Sequence, residues 1–369
     1  MTASVRVGQF HTDLRFRFRH AAADRSTTEN VIVEVTGADG VRGYGEGCPR
    51  AYVTGETVAT AKAFLREHGP DIADSVTSVA DLQRWIDDHE ALIDANPAAF
   101  AAIELAMLDL LGRQSGQPLE GVIGAPALAA PVRYSAIIGD GSPRKTRLIV
   151  GAHRLIGFRD YKIKLNGDLD TDRRRLRALP HRARLRADAN NLWPDAAACT
   201  THVRALGQPF WAIEEPVTAG DTEAMRAIAN DLDVRIILDE SLSRQGQLDA
   251  YAADPDCWIA NIRVSKCGGI LRAVRLARGA QALGLGVILG AHVGETSLLT
   301  RAALTVGQAL ETPPLAREGA YGTILLRSDI CRRSMRLGCA GHLLPGSFGS
   351  PETSGSGLAI DPGRVDWSD

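Results

Sequence analysis

Lysine is almost missing from this sequence. Of 369 residues only five are lysine (Lys62, Lys145, Lys162, Lys164 and Lys266), against 37 arginines. Arginine cannot serve as a proton-transfer base near neutral pH, whereas a lysine whose surroundings depress its pKa can. The few lysines kept by an arginine-biased chain are therefore candidates for chemistry. Other scarcities exclude whole classes. No apolar run approaches the roughly 18 residues of a membrane span. The opening stretch, MTASVRVGQFHTDLRFRFRH, has no apolar signal core. Formal charge is only −2, from 42 basic and 44 acidic side chains, so no basic footprint points to nucleic acid. The six cysteines (Cys48, Cys199, Cys257, Cys267, Cys331, Cys339) form no Cys-x-x-Cys pair, which excludes a zinc ribbon and fits reduced thiols. The expectation is a soluble cytoplasmic protein of one large domain or two smaller ones.

The first 130 or so residues read differently from the rest. Asn30–Thr36 alternates like a strand, Gly37–Gly40 is a turn, and Val41–Gly47 (VRGYGEG) reads as the returning strand of a hairpin. From Thr54 to Leu111 the pattern is helical, clearest over Ala98–Leu111, with Gly112 as the expected C-cap. From Pro131 onward short apolar strands alternate with amphipathic helices. The strand candidates are Arg133–Ile138, Asp160–Lys164, Arg184–Ala187, Trp211–Glu214, Arg235–Leu238, Trp258–Val264, Val287–Gly290 and Leu315–Tyr321. Eight such units predict an α/β fold, a (β/α)8-type barrel at 131–345, preceded by an α+β capping domain at 1–130 and followed by a tail at 346–369 that returns to it. An open doubly wound sheet is the alternative, but no glycine-rich phosphate fingerprint follows the first strand.

Charged residues recur at the ends of these strands: Lys162 and Lys164 (YKIKLNG), Asp188 (RADANN), Glu214 (AIEEP), Asp239 (ILDES), Lys266 (VSKCGG) and Glu295 (AHVGET). Steps from Lys164 are 24, 26, 25, 27 and 29 residues, each about one strand, helix and two loops. Every step thus returns to one rim, and in barrel enzymes that rim holds the active site. A lone Asp or Glu there is ordinarily a helix cap. Three at one-unit spacing instead converge, repel one another and call for a hard cation with oxygen ligands, Mg2+ or Mn2+. Lys162 and Lys164, at i and i+2 of a strand, face the same side. Each ammonium is expected to lower the other's pKa, which suits a general base. Lys266, four strands on, is expected at the opposite wall.

KIK at 162–164, DAN at 188–190, IEEP at 213–216, LDES at 238–241 and SKCGG at 265–269 resemble the muconate-lactonizing subgroup of the enolase superfamily. TENVIVEV and GVRGYGEG within 28–47, with AAIELAMLDLLGRQSGQPL at 101–119, resemble that family's capping domain. The resemblance implies Mg2+ on Asp188, Glu214 and Asp239, and Lys164 with Lys266 as opposed acid/base partners. Lys162 would support Lys164 and the substrate carboxylate. It also implies abstraction of a proton α to a carboxylate through a metal-stabilised enediolate. Asn190, Glu240, His292, Glu295, Tyr52, Arg19 and His20 are candidate substrate contacts, the last three from capping loops.

Two departures narrow the expectation. His292 has no barrel aspartate on the preceding strand (WIANIRVSK), so a histidine–aspartate base is not expected. The last strand reads AREGAY where family dipeptide epimerases carry Asp-x-Asp, which argues against a dipeptide. Epimerisation or racemisation of an amino-acid derivative ranks first. Cycloisomerisation of a diacid and syn-dehydration follow, and a non-catalytic scaffold comes last. The expected partners are a small-molecule carboxylate and further copies of the chain, with no nucleic acid and no membrane.

Overall fold

The computed structural model describes residues 3–20, 23–322, 324–344 and 354–367, with the side chains of residues 18–20, 23 and 24 outside that description. Three strands open the chain, β1 (Ser4–His20), β2 (Ala23–Thr36) and β3 (Arg42–Gly47), in one antiparallel sheet. Helices α1 (Val58–Ser75), α2 (Val79–Asp88), α3 (Glu90–Ala95), α4 (Pro97–Ser115) and α5 (Leu119–Val122) follow. The glycines of RGYGEG explain how α4 lies on β3. Gly43, Gly45 and Gly47 share a strand face, and a Cβ on any of them would overlap the carbonyls of Ala106, Ala102 or Ala98. Helix α4 runs past the expected stop at Gly112 and ends at Gly116, whose φ of 69° is left-handed. Gly112 serves close approach instead, because a Cβ there would meet the Gly355 backbone at 2.8 Å.

The second unit is a parallel sheet in the order β11–β10–β9–β8–β7–β6–β5. Its strands are β5 (Ala136–Ile138), after the short β4 (Val132–Arg133), then β6 (Asp160–Lys164), β7 (Arg184–Asp188) and β8 (Ala212–Glu214). The remainder are β9 (Arg235–Leu238), β10 (Trp258–Ile262) and β11 (Gly286–Leu289). Helices α6 (Pro143–Ile156), α7 (Leu169–Leu176), α8 (Ala196–Leu206), α9 (Thr222–Leu232), α11 (Ile270–Ala282) and α12 (Ser297–Gln308) alternate with them. The eighth expected strand is a hydrogen-bonded extended segment. Leu315 and Glu318 donate to Val287 and Leu289, Ala316 accepts from Leu289, and Arg317 accepts from Ser135 on the other side, closing the ring. Pro313 and Pro314 before it supply no N–H, and Gly319 (φ 120°) ends it, so it stays short.

The expected strand Trp258–Val264 stops at Ile262, because Val264–Cys267 is a helical turn, α10. Inside the barrel, Ala212, Ile237, Ile259, Ile288 and Ala316 form an apolar floor. Above it the interior turns polar. The ordinary role of a loop aspartate is taken elsewhere: Asp168, Asp195 and Asp221 cap α7, α8 and α9. The two units are stitched by Glu104 of α4, whose carboxylate accepts the Ile270 and Leu271 N–H groups at 3.0 and 2.8 Å, at the start of α11. The C-terminal segment returns to the first unit: Asp366 pairs with Gln9, and Gly355 accepts from Leu119. A last short strand, β12 (His342–Leu343), pairs with β4. Among the described residues no helix is long and apolar enough to cross a membrane.

Candidate active site

Parallel register brings the expected carboxylates together. Lys164 pairs with Asp188 and Asp188 with Glu214 on β6, β7 and β8, and Asp239 directly follows β9. All three carboxylates are buried, as are both lysines of KIK. Lys162 Nζ lies 3.0 Å from Glu214 Oε2, 2.8 Å from Glu318 Oε2 and 3.4 Å from Asp188 Oδ2. Lys164 Nζ lies 2.9 Å from Asp188 Oδ2 and 2.7 Å from Asn190 Oδ1. Asn261 donates to Glu214 at 3.1 Å. Asn190, Asn191 and Glu215, just beyond these strand ends, hold positive φ (49°, 59° and 38°), a strain of the kind that clusters at functional sites. Glu215 in turn braces the next loop, accepting from Asp239 N, Ser241 N and Ser241 Oγ.

The electrostatics correct one expectation. Burial works against the charge on Lys162, but Glu214, Glu318 and Asp188 outweigh it and hold its pKa above the ordinary value rather than below. Lys162 is thus a fixed cation. Burial raises Glu214 to about 8 despite Lys162, with Asp188 adding to the rise. Asp188 moves the other way: burial is overcome by Lys164 and Lys162, and its carboxyl falls below the usual range. Glu318 is lowered to about 2 in the same way, against burial, by Lys162 and by Arg186 at 2.8 Å.

The second correction concerns Lys266. It sits on α10, not on a strand, and its buried ammonium donates to the carbonyls of Asp239, Leu242 and Asn261 at 2.6, 2.9 and 2.9 Å, with Asp239 Oδ1 at 3.1 Å. Four oxygens absorb it, and it does not line the mouth. Arg263 stands there instead, beside Tyr52, Lys162, Lys164, Asn190, Glu240 and Glu318. Its guanidinium bridges Asp239 and Glu214, the latter at 3.5 Å. β10 and β6 lie four strands apart in the ring, so Arg263 faces Lys164 from the far wall. Sequence reading missed it, though two signals were present. Arg263 is two residues beyond Asn261 and four beyond inward-facing Ile259, the same strand face. It also lies 24 residues after Asp239, closer to the preceding steps than the 27 of Lys266. Glu318 was missed too, because AREGAY was read only for the pair it lacks.

The remaining candidates divide. Tyr52, Asn190 and Glu240 line the mouth, and Glu240 Oε2 has no hydrogen-bond partner there. His292 does not: Ala291 and Val293 face the mouth, while the imidazole is fully buried beside Cys48 and Glu295, neither ring nitrogen hydrogen-bonded and Nδ1 3.5 Å from Glu295 Oε1. Glu295 accepts the His292 N–H at 2.7 Å and is likewise out of the mouth. The side chains of Arg19 and His20 lie outside the described residues.

The cavity itself is about 30 Å3, room for little more than one water, because Arg263 and the lysines fill it. The chemistry of the donor set nonetheless fits a divalent cation. Three buried carboxylates ring a space now neutralised by Arg263, and oxygen-only ligation suits Mg2+. The trio does not close to the 4.8 Å mutual spacing reached by Cys48, His292 and Glu295, since each carboxylate is drawn onto a cationic side chain.

Residues 2–124 match the family described as mandelate racemase / muconate lactonizing enzyme, N-terminal domain, and residues 148–363 match the enolase C-terminal domain-like family. The chain belongs to the mandelate racemase/muconate lactonizing enzyme family of the enolase superfamily. A family relative named L-Lys-D/L-Arg epimerase, from Methylococcus capsulatus, is 32% identical over 352 residues, 91% of this chain and 97% of that one. An N-succinyl-L-Arg/Lys racemase from Bacillus cereus is 29% identical over 300 residues, 79% of this chain and 80% of that one. The crystal structure of a dipeptide epimerase from Methylococcus capsulatus with Mg and L-Arg-D-Lys superposes with a TM-score of 0.83 at 31% identity, covering 98% of this chain and all of that one.

Proposed function

We propose that this chain is a Mg2+-dependent isomerase that takes the α-proton from a carboxylate substrate and returns it, an epimerase or racemase of an amino-acid derivative. The observation that carries the reading is Lys164, which lines the mouth with its ammonium held by Asp188 and Asn190, while the carboxylates of Asp188, Glu214 and Asp239 lie buried behind that lining. In this reading those three carboxylates hold Mg2+, which when bound supplies Lewis-acid stabilisation of charge growing on the substrate carboxylate. Lys164 takes or returns the α-proton on its own face, and Lys162 holds a fixed positive charge at the carboxylate end. Arg263, on the opposite face, is the group that must deliver or accept the proton there when the centre inverts. Mn2+ would suit the same oxygens.

Glu240 supports a cationic substrate group, because an unpaired buried carboxylate oxygen facing the mouth is most simply satisfied by an ammonium or guanidinium. Relatives named for lysine and arginine substrates support the same class, and they keep a dipeptide open although AREGAY lacks the Asp-x-Asp pair. We also propose the division into cap (1–130), barrel (131–345) and returning tail (346–369), and a cytoplasmic homo-oligomer.

A second reading rests on Arg263. Guanidinium is a poor proton acceptor, so a site with lysine on one wall and arginine on the other suits one-base chemistry, a cycloisomerisation or syn-elimination. The test is incubation with N-succinyl amino acids and cationic dipeptides in D2O plus Mg2+, read by mass spectrometry. Deuterium at the α-carbon of both stereoisomers with interconversion supports the isomerase. Exchange of one stereoisomer with loss of water or ring formation supports the second reading. No exchange of any α-proton with Mg2+ present rejects both.

A further inference from the structure

A second hollow is far larger than the mouth. It is an open cavity of about 600 Å3 between β1, the segment after Glu318 and the returning C-terminus. Small-molecule sites typically span about 300–1,000 Å3. Six of its twelve lining residues are arginines: Arg15, Arg327, Arg332, Arg333, Arg336 and Arg364. The chain as a whole is one arginine in ten, 37 of 369, so compositional bias alone does not produce this density.

The charges are only partly answered: Arg364 Nε pairs with Asp361 Oδ2 at 3.1 Å, Arg15 Nε donates to Leu326 O at 2.9 Å and Arg336 Nε to Ser334 Oγ at 3.3 Å. The one carboxylate in the lining, Asp329, is buried and spent on Ser297 N, Ser297 Oγ and Cys331 N. Among the described residues the guanidinium groups of Arg327, Arg332 and Arg333 take no hydrogen bond and no ion pair. Their frame, by contrast, is fixed. Arg15 N donates to Leu325 O at 2.7 Å, Arg327 N to Asp13 O at 3.0 Å and Arg332 N to Ala359 O at 2.9 Å. Arg364 Nη1 donates to Asp329 O at 2.6 Å. Six guanidinium groups are held around one hollow, five of them with no ion pair among the described residues, and their mutual repulsion is relieved by an anion that several planar forks can grip at once.

We propose that this hollow binds a small polyanion carrying two or more phosphoryl groups, at a site separate from the catalytic mouth. Phosphate oxygens match the bidentate geometry of guanidinium, and a short phosphate chain spans several of the six arginines where a single monoanion reaches one or two. Tyr321 faces the mouth, whereas Gly322 and Leu326 face the hollow, so the two sites lie on different sides of this part of the chain.

The test is isothermal titration of the full chain with inorganic tripolyphosphate, without Mg2+ and in 150 mM NaCl as a chosen ionic background that suppresses weak surface binding. Saturable 1:1 binding is expected. The triple variant Arg332→Ala, Arg333→Ala, Arg336→Ala should weaken it at least tenfold, and Lys164→Met should leave it unchanged. These arginines are exposed, and a circular-dichroism spectrum and urea midpoint matching wild type would confirm that the variant folds. Arg333→Glu alone gives a second reading, with a several-fold loss expected. ATP in place of tripolyphosphate separates the sources: tighter binding marks a nucleotide site, equal binding a site for the phosphate chain alone. Absence of saturation overturns the proposal. So does binding lost in Lys164→Met but kept in the triple variant, or polyglutamate binding where tripolyphosphate fails, which would mark a protein-docking surface.

Discussion

Replacing Lys266 and Arg263 in parallel separates a structural cation from one that faces substrate. The Lys266 ammonium donates to three buried carbonyls and touches Asp239 Oδ1. Lys266→Met removes all four contacts and supplies no donor in return. Breaking a buried charge pair costs about 3–5 kcal/mol, and the orphaned acceptors place this site at the upper end of that range. With a urea slope near 3 kcal/mol/M, the midpoint should fall by roughly 1–2 M. Arg263→Met is different. Its guanidinium neutralises Glu214 and Asp239, and Mg2+ can take that role, so with Mg2+ present the variant should stay within about 1 kcal/mol of wild type. Catalysis should show the reverse pattern. Folded Lys266→Met, assayed at low temperature without urea, should retain α-proton exchange within about tenfold, whereas Arg263→Met should lose turnover by about a hundredfold or more. An unchanged urea midpoint in Lys266→Met together with abolished exchange, while Arg263→Met exchanges normally, would refute the assignment and return the second catalytic place to Lys266.

Lys164→Met should lower exchange of the α-proton by about 10²–10⁴-fold, measured by deuterium incorporation, with the fold intact by circular dichroism. Glu214→Gln should weaken Mg2+ binding by calorimetry at least tenfold, and EDTA should stop wild-type exchange, whereas activity surviving EDTA would reject the metal reading. Burial raises the Glu104 carboxyl to about 7 against an ordinary 4.5. The folded chain therefore holds a proton that the unfolded chain has lost, and this contribution is complete below about pH 4.5 and gone above about pH 7, a loss of about 3 kcal/mol. Urea midpoints at pH 5, 6 and 7.5 should fall less steeply in Glu104→Gln than in wild type, and parallel profiles would contradict it. Wild type should exchange the α-proton of one stereoisomer faster than that of its mirror image, and Arg263→Lys should narrow the gap, read by D2O exchange of each isomer separately.

Much of the architecture was already written along the chain. Strand–helix alternation with charged residues about 25 apart requires a ring whose strand ends share one rim, and the parity of Lys162 and Lys164 sends both inward, because strand side chains alternate regardless of what surrounds them. The same local logic reached Asp188, Glu214 and Asp239. Where spacing was counted without strand boundaries it chose wrongly. Val264–Cys267 turns helical, so Lys266 leaves the strand face for a nest of carbonyls, while Arg263, at the last inward position, enters the mouth. Gly112 illustrates the same limit: a glycine inside a helix reads as a stop until the backbone of Gly355, more than two hundred residues away, is seen to press against it. Charge state is more distant still from sequence. Two lysines at i and i+2 suggest mutual repulsion, yet Glu318, arriving from the far end of the ring, turns Lys162 into a firmly held cation. Period and parity are properties of the local backbone and survive in the bare sequence. The partner that finally touches a side chain comes from elsewhere in the chain, and only the closed barrel decides which one it is.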